Sequence, residues 1–215
     1  MKNVILIDEQ PLVLNALSQM LTEQLGFRVM AQHTHSDRAF FDIIEHHPDL
    51  VLMDLELPGR GAIEVAEQIM TRLPATRTVF LTSYDTDIFI DISLRLGVAG
   101  FLLKTEPVQA LIDSLKRISL GETVYSDPIQ ERLHFDQETR EYRVRTQSFF
   151  SSLTLRQIQV LRHLARGESV KEVAKAMMLS ERAIESHKYR IMQKMGIHDR
   201  VVLTRFAIRE GLMPA

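Results

Sequence analysis

Three carboxylates and one lysine stand at the ends of apolar runs in this chain. Asp8 and Glu9 follow Val4-Ile5-Leu6-Ile7, Asp54 follows Leu50-Val51-Leu52-Met53, and Lys104 follows Phe101-Leu102-Leu103. If these runs are neighbouring strands of one parallel sheet, the four charges converge beyond the carboxyl ends of the strands, where open α/β sheets bind ligands. Magnesium takes oxygen ligands in an octahedron and keeps several waters, so Asp8, Glu9 and Asp54 suit it better than a cage of imidazoles would. A carboxylate beside a bound cation stays ionised, and an ionised aspartate can attack a phosphorus centre to form an acyl phosphate. Lys104 then offers a mobile point charge to a phosphoryl oxygen, and Thr82, at the end of a fourth apolar run, offers a hydroxyl.

The elements that must position these groups are legible as a pattern. Strands are expected over Asn3 to Ile7, Arg28 to Gln32, Leu50 to Met53, Thr78 to Leu81 and Gly100 to Leu103. Between them apolar residues recur at helical spacing, as in Leu14, Leu17, Leu21 and Leu25, and in Ile63, Ala66, Ile69, Met70 and Leu73. A last helix follows Pro107 and ends at Gly121. Several of the strands are almost wholly apolar, as strands covered on both faces must be. The fold class predicted is α/β, a doubly wound, five-stranded parallel sheet of flavodoxin-like type over residues 1–121, followed by an all-α domain over 153–215. The connection 122–152 reads as a linker with a short hairpin, because Leu133, Phe135, Tyr142 and Val144 alternate with charged neighbours around the turn 136–141.

Charge separates the two ends. Residues 1–150 carry 14 Lys+Arg and 22 Asp+Glu, a net of −8, whereas 151–215 carry 12 and 6, a net of +6. The basic end makes double-stranded DNA the first partner to test. There is no cysteine, which excludes disulfides and thiolate metal sites, and no histidine pair has the spacing of a zinc protease. No apolar stretch has membrane-spanning length, and the first strand begins at the third residue, so a cytoplasmic protein without a leader is expected.

Within the basic end, Thr154 caps a helix that stops at Gly167, a second helix spans Val170 to Met177, and Ser180 caps a third; a fourth runs from Arg200 to Glu210. Only Met178 to Ser180 separates the second from the third, the spacing of a helix-turn-helix. In the third helix Ile184, Ile191 and Met195 face inward. Arg182, Glu185, Ser186 and Tyr189 then face outward near its leading end, where such a helix meets base edges. Glu185, Ser186 and Tyr189 are assigned to base readout, and Lys171, Lys188 and Lys194 to phosphates. Val201, Val202 and Leu203 open the last helix and are candidates for pairing two copies, with core packing as their alternative role.

Ile5-Leu6-Ile7-Asp8-Glu9, Met53-Asp54-Leu55-Glu56-Leu57-Pro58-Gly59, Leu81-Thr82-Ser83 and Gly100-Phe101-Leu102-Leu103-Lys104 together resemble the receiver domain of bacterial two-component response regulators. Leu153-Thr154-Leu155-Arg156-Gln157, Val170-Lys171-Glu172-Val173-Ala174, Ile184-Glu185-Ser186-His187 and Lys194-Met195-Gly196-Ile197 resemble the LuxR-type DNA-binding domain. In this order they resemble a response regulator of the NarL/FixJ type. The resemblance implies that Asp54 accepts a phosphoryl group from a sensor histidine kinase and that Asp8, Glu9, Asp54 and the Glu56 carbonyl hold Mg²⁺. It further implies that Thr82 and Phe101 are switch residues, that Lys104 is the essential lysine, and that phosphorylation promotes a homodimer or releases the DNA-binding domain. Leu57 and the early Gly61 depart from the receiver pattern, and Gln157 and Gln159 stand where the LuxR type usually has glutamates.

Taken singly, Asp8 and Glu9 also suit the start of a helix, Asp54 a loop and Lys104 a solvated surface. Two other functions fit part of the pattern: a DNA-binding regulator indifferent to phosphorylation, and a Mg²⁺-dependent aspartyl phosphatase or phosphotransferase, which would leave the basic end unexplained.

Overall fold

A computed structural model describes residues 1–146 and 149–213. The chain alternates β1 (Asn3–Ile7), α1 (Pro11–Leu25), β2 (Arg28–His33), α2 (Ser36–His46), β3 (Leu50–Met53), α3 (Ala62–Arg72), β4 (Arg77–Thr82), α4 (Asp87–Leu96), β5 (Gly100–Leu103) and α5 (Val108–Ser119). Then come β6 (Val124–Tyr125), α6 (Asp127–Gln130), the hairpin β7 (Leu133–Asp136) and β8 (Glu141–Val144), and helices α7 (Leu155–Ala165), α8 (Val170–Ala176), α9 (Glu181–Met195) and α10 (Arg200–Arg209). Two compact units result, Met1–Asp85 with Ser93–Arg143, and Thr86–Ile92 with Val144–Ala215.

The first unit holds a parallel sheet in the order β2-β1-β3-β4-β5-β6. Order reverses between β1 and β3, which opens a crevice at their carboxyl ends. Val4, Leu6, Leu52, Leu81 and Leu102 share one apolar core with Leu14, Leu17 and Leu21 of α1 and with Leu111, Leu115 and Ile118 of α5. Strand alternation turns Ile5, Ile7, Val51 and Met53 to the other face, where they are equally buried. Both faces are therefore covered, which explains the unbroken apolar runs.

The sheet has six strands, not the five expected. Val124 and Tyr125 pair in parallel with Gly100 and Phe101, so part of the segment assigned to the linker extends the sheet. Gly100 permits this close approach: a Cβ there would lie 3.2 Å from the Val124 carbonyl oxygen and 2.7 Å from Ile118 Cδ1. The expected hairpin forms as a separate two-stranded sheet with Phe135 and Tyr142 edge to face across it.

In the second unit Thr154 and Ser180 cap their helices as expected, and Ser169 and Asp199 cap two more. Thr154 accepts from Gln157 N while Gln157 reaches back to Thr154 N, and Ser169 and Glu172 form the same reciprocal box. Ser180 accepts from Ala183 N and Asp199 from Val202 N. Ile158, Leu161, Val173, Ile184, Ile191, Leu203 and Ala207 form the shared interior of the four helices. No helix among the described residues is long and apolar enough to cross a membrane.

Candidate functional site

Register brings the first group of residues together. Ile7 pairs with Met53, so the residues that follow, Asp8 and Asp54, leave the sheet side by side; Asp54 N donates to the Ile7 carbonyl at 2.9 Å. Thr82 pairs with Leu103, and the Lys104 amide donates to the Thr82 carbonyl at 2.9 Å. The Lys104 side chain then reaches past the end of β4, its Nζ lying 2.5 Å from Asp8 Oδ2 and 2.7 Å from Asp54 Oδ2. The remaining carboxylate oxygens are also held, Asp8 Oδ1 by Gln10 N at 2.9 Å and Asp54 Oδ1 by Leu55 N at 2.6 Å.

Two carboxylates only 2 % and 6 % exposed would repel each other without a cation between them. Lys104 supplies it. Burial works against the lysine's charge, but the hydrogen bonds it donates to Asp54 and Asp8, and then their charges, outweigh it and raise the ammonium pKa above its ordinary value.

The other expected members are placed differently. Glu9 is exposed, and among the described residues no three Asp, Glu, His or Cys side chains are gathered closely enough to form a metal cage. Sequence reasoning expected Asp8, Glu9 and Asp54 to converge; here only Asp8 and Asp54 do, and the lysine stands between them. Thr82 is fully buried and its Oγ1 accepts from Tyr84 N at 3.2 Å. Phe101 is likewise buried, edge to face with Phe80 at 6.4 Å.

The loop after Asp54, where the sequence departs from the receiver pattern, is fastened to the start of α2. Pro58 O accepts from both Ser36 N and Ser36 Oγ, at 3.1 and 2.8 Å, and Arg60 Nε pairs with Asp37 Oδ1 at 3.0 Å. Gly59, at φ +98°, sits where a Cβ would collide with His35, Ser36 and Asp37, all within 2.7 Å. Leu57 points inward and is buried.

On the second unit, Arg182, Glu185, Ser186 and Tyr189 of α9 are all exposed, while Ile184 and Ile191 are buried and Met195 half-buried. Lys171 is exposed on α8, and Lys175, which sequence reasoning passed over, lines the same shallow groove between α8 and the start of α9. Lys188 pairs with Glu185 one turn away at 2.7 Å. Lys194 is exposed, and its ammonium donates to Ser152 O at 2.7 Å and Gln157 Oε1 at 3.0 Å, which ties the end of α9 to the start of α7. Gln157 thus keeps the acceptor role a glutamate would have there. Leu203 corrects an expectation. It is buried in its own domain's core, so only Val201 and Val202, 65 % and 52 % exposed, remain available for pairing.

Against known families, the profile of the response regulator receiver domain matches residues 4–116, more than half of the chain. The chain belongs to the response regulators. Residues 151–207 of this regulator match the bacterial regulatory proteins of the luxR family, and the pair of domains in this order is the NarL/FixJ arrangement. The regulator is 29% identical over 210 residues to the uncharacterized transcriptional regulatory protein YxjL of Bacillus subtilis (strain 168), covering 98% of this chain and 96% of that one. It is 28% identical over 215 residues to the response regulator UvrY of Escherichia coli (strain K12), covering 100% and 97%. The RcsB response regulator of Salmonella typhimurium shares its fold, with a TM-score of 0.74 at 22% identity over 98% of both chains. RcsB bound to the promoter rprA with the phosphomimetic BeF3⁻ matches at 0.67 and 21% identity, over 95% and 97%.

Proposed function

We propose that this response regulator takes a phosphoryl group from a sensor histidine kinase onto Asp54, and that the modification controls its binding to double-stranded DNA. The observation that carries the reading is the Lys104 ammonium shared by two buried carboxylates at the β1–β3 crevice. The same carboxylates would hold Mg²⁺ once the Lys104 ammonium moves aside. Asp8 and Asp54 are hard donors already holding positive charge, with Glu9 next in sequence and the Glu56 carbonyl in the following loop, which is the ligand type Mg²⁺ takes. When bound, the metal would neutralise charge that develops on the transferring phosphoryl group.

The chain's own residues account for the rest. An Asp54 carboxylate oxygen forms the new bond to phosphorus as the bond from phosphorus to the donor breaks, and the donor keeps the electron pair. Lys104 leaves Asp54 Oδ2 for a phosphoryl oxygen, and Thr82 gives up its bond from Tyr84 N to donate to another. Phe101, packed against Phe80, is the aromatic switch residue that follows β5 as it adjusts. The chemistry is confined to the protein's own aspartate, with no external substrate turned over.

DNA binding follows the exposed side of α9. Glu185, Ser186 and Tyr189 face base edges, Arg182 lies at the leading end, and Lys171 and Lys188 face phosphates. Val201 and Val202 pair two copies once the receiver is phosphorylated, so that two α9 helices meet half-sites one DNA turn apart. The two-domain match to UvrY and the promoter-bound RcsB structure support this reading.

The test is DNA binding by wild type and Asp54→Ala, each with and without acetyl phosphate and Mg²⁺, at one salt concentration. Binding tightened roughly tenfold or more, for wild type alone, is the expected outcome, about 1.4 kcal/mol of coupling. Equal binding by both proteins would replace it with a regulator indifferent to phosphorylation.

A further inference from the structure

Ser126 lies in the connection beyond the receiver match, which ends at residue 116. It sits at the start of α6, where a serine hydroxyl would ordinarily cap its own helix, yet its side chain makes no capping bond. Ser126 Oγ instead accepts from Leu103 N at 2.9 Å and donates to Glu106 Oε2 at 2.5 Å. One hydroxyl therefore grips both sides of the turn 103–106, and Lys104 lies inside that turn. The Ser126 amide adds a bond to the Phe101 carbonyl at 3.0 Å.

The reason lies in the sheet edge. The ladder between β5 and β6 ends at Phe101 and Tyr125. Leu103 is buried, and its N–H needs an acceptor that β6 is too short to supply from its backbone. The Ser126 hydroxyl, itself only 2 % exposed, provides it. On the opposite side the Lys104 amide is held by the Thr82 carbonyl, so the lysine backbone is fixed from β4 and from the connection together.

We propose that Ser126 is a positioning residue for phosphoryl transfer, acting through Leu103 and Glu106 to aim Lys104 at the Asp8 and Asp54 carboxylates. The proposal rests on the role given to Asp54 and Lys104 above. It makes the segment that leaves the receiver a part of the site's support, so that the phosphorylation rate depends on residues outside the receiver match.

Full-length wild type, Ser126→Ala, Ser126→Thr, Glu106→Ala, Lys104→Ala and the Ser126→Ala/Lys104→Ala double variant would be phosphorylated with acetyl phosphate and Mg²⁺. Initial rates are read on phosphate-affinity gels and unfolding midpoints by circular dichroism. Ser126→Ala is expected to slow phosphorylation on the order of tenfold, because small misplacements of a charge at the reacting group carry large rate effects. Ser126→Thr, which keeps the hydroxyl, restores most of the rate, and Glu106→Ala gives a smaller loss of roughly threefold. The decisive comparison is the double variant: if Ser126 acts through Lys104, removing it has no further effect once the lysine is gone. An unchanged rate in Ser126→Ala, or the same fractional loss with and without Lys104, overturns the proposal while leaving Asp54 as acceptor. Failure of wild type to be phosphorylated, or equal labelling of Asp54→Ala, overturns the underlying reading instead. Should Ser126→Ala not fold, Glu106→Ala tested in the presence and absence of Lys104 decides the same question.

Discussion

The crevice in the sheet and the outer side of α9 handle charge in opposite ways. At the crevice Asp8, Asp54 and Lys104 are buried or nearly so, and each charge is answered by another within hydrogen-bonding distance. On α9, Arg182, Ser186 and Tyr189 are turned to solvent, and the domain's net positive charge awaits a partner. A buried, compensated cluster responds sharply to the arrival of one new charge, because the dielectric is low and each partner is already committed. A solvated surface responds gradually and in proportion to salt. On the proposed function, the switch lies in the first kind of environment and the reader in the second.

The strongest way to break the contrast is Lys104→Ala. It leaves two buried carboxylates facing each other, and a loss of about 3 kcal/mol at pH 7 is expected in urea denaturation, the usual scale for removing one partner of a buried ion pair. Added Mg²⁺ should recover much of that loss and stabilise wild type less. The pH sense follows from the raised lysine pKa: the bridge contributes fully below the ordinary lysine titration and is lost as pH rises through the raised value. Unchanged stability in the variant would mean that the bridge compensates nothing.

Next in size is Tyr189→Ala on the reader side. DNA affinity should fall about tenfold, within the roughly 1–3 kcal/mol range of a good base contact, with the unfolding midpoint unmoved. Lys171→Ala should instead weaken all sequences alike and lower the salt slope by about 0.9, as measured by binding titrations at several salt concentrations. A change in sequence preference on removing Lys171 would contradict its assignment to phosphate.

Smaller effects test whether the reader's scaffold is as tightly held as the crevice. Ser169→Ala removes half of a reciprocal helix cap and should cost about 1 kcal/mol of stability, seen as a lower denaturant midpoint. The smallest change is expected at His163. Burial lowers its pKa first, with Arg166 and Arg162 adding to the effect and Glu168, 2.8 Å from Nδ1, opposing it. The folded domain thus prefers the neutral ring, and its contribution is present above the ordinary imidazole pKa and lost as pH falls through the lowered one. Thermal unfolding between pH 7 and pH 5 should show that loss in wild type and less of it in His163→Gln.

Much of this was legible because period and position carry it. Apolar runs such as Leu50–Met53 mark strands covered on both faces, and Thr154 before α7 and Ser180 before α9 mark helix starts by their own chemistry. The meeting of Asp8, Asp54 and Lys104 followed from their common place after a strand. Strand β6 was missed because two residues cannot display a period, although Ser126-Asp127-Pro128 did hold the signature of a helix start. Leu203, offered for pairing two copies, proved to be core for a related reason. Helical spacing says which side of a helix a residue occupies, but whether that side meets solvent depends on how the neighbouring helices pack. The position of Glu9 was illegible because adjacent residues at a strand end can diverge once the chain leaves the sheet.

Strand β6 also bears on where this protein can be divided. A strand left open at the margin of a sheet offers unpaired N–H and C=O groups to any passing chain, the common route to intermolecular strand pairing. In the intact molecule Val124 and Tyr125 cover that margin of β5. A fragment ended at Gly121, the boundary that helix periodicity suggests, would uncover it and be prone to aggregate. One carried through Gln130 keeps the sheet closed along that side and retains the hydroxyl of Ser126.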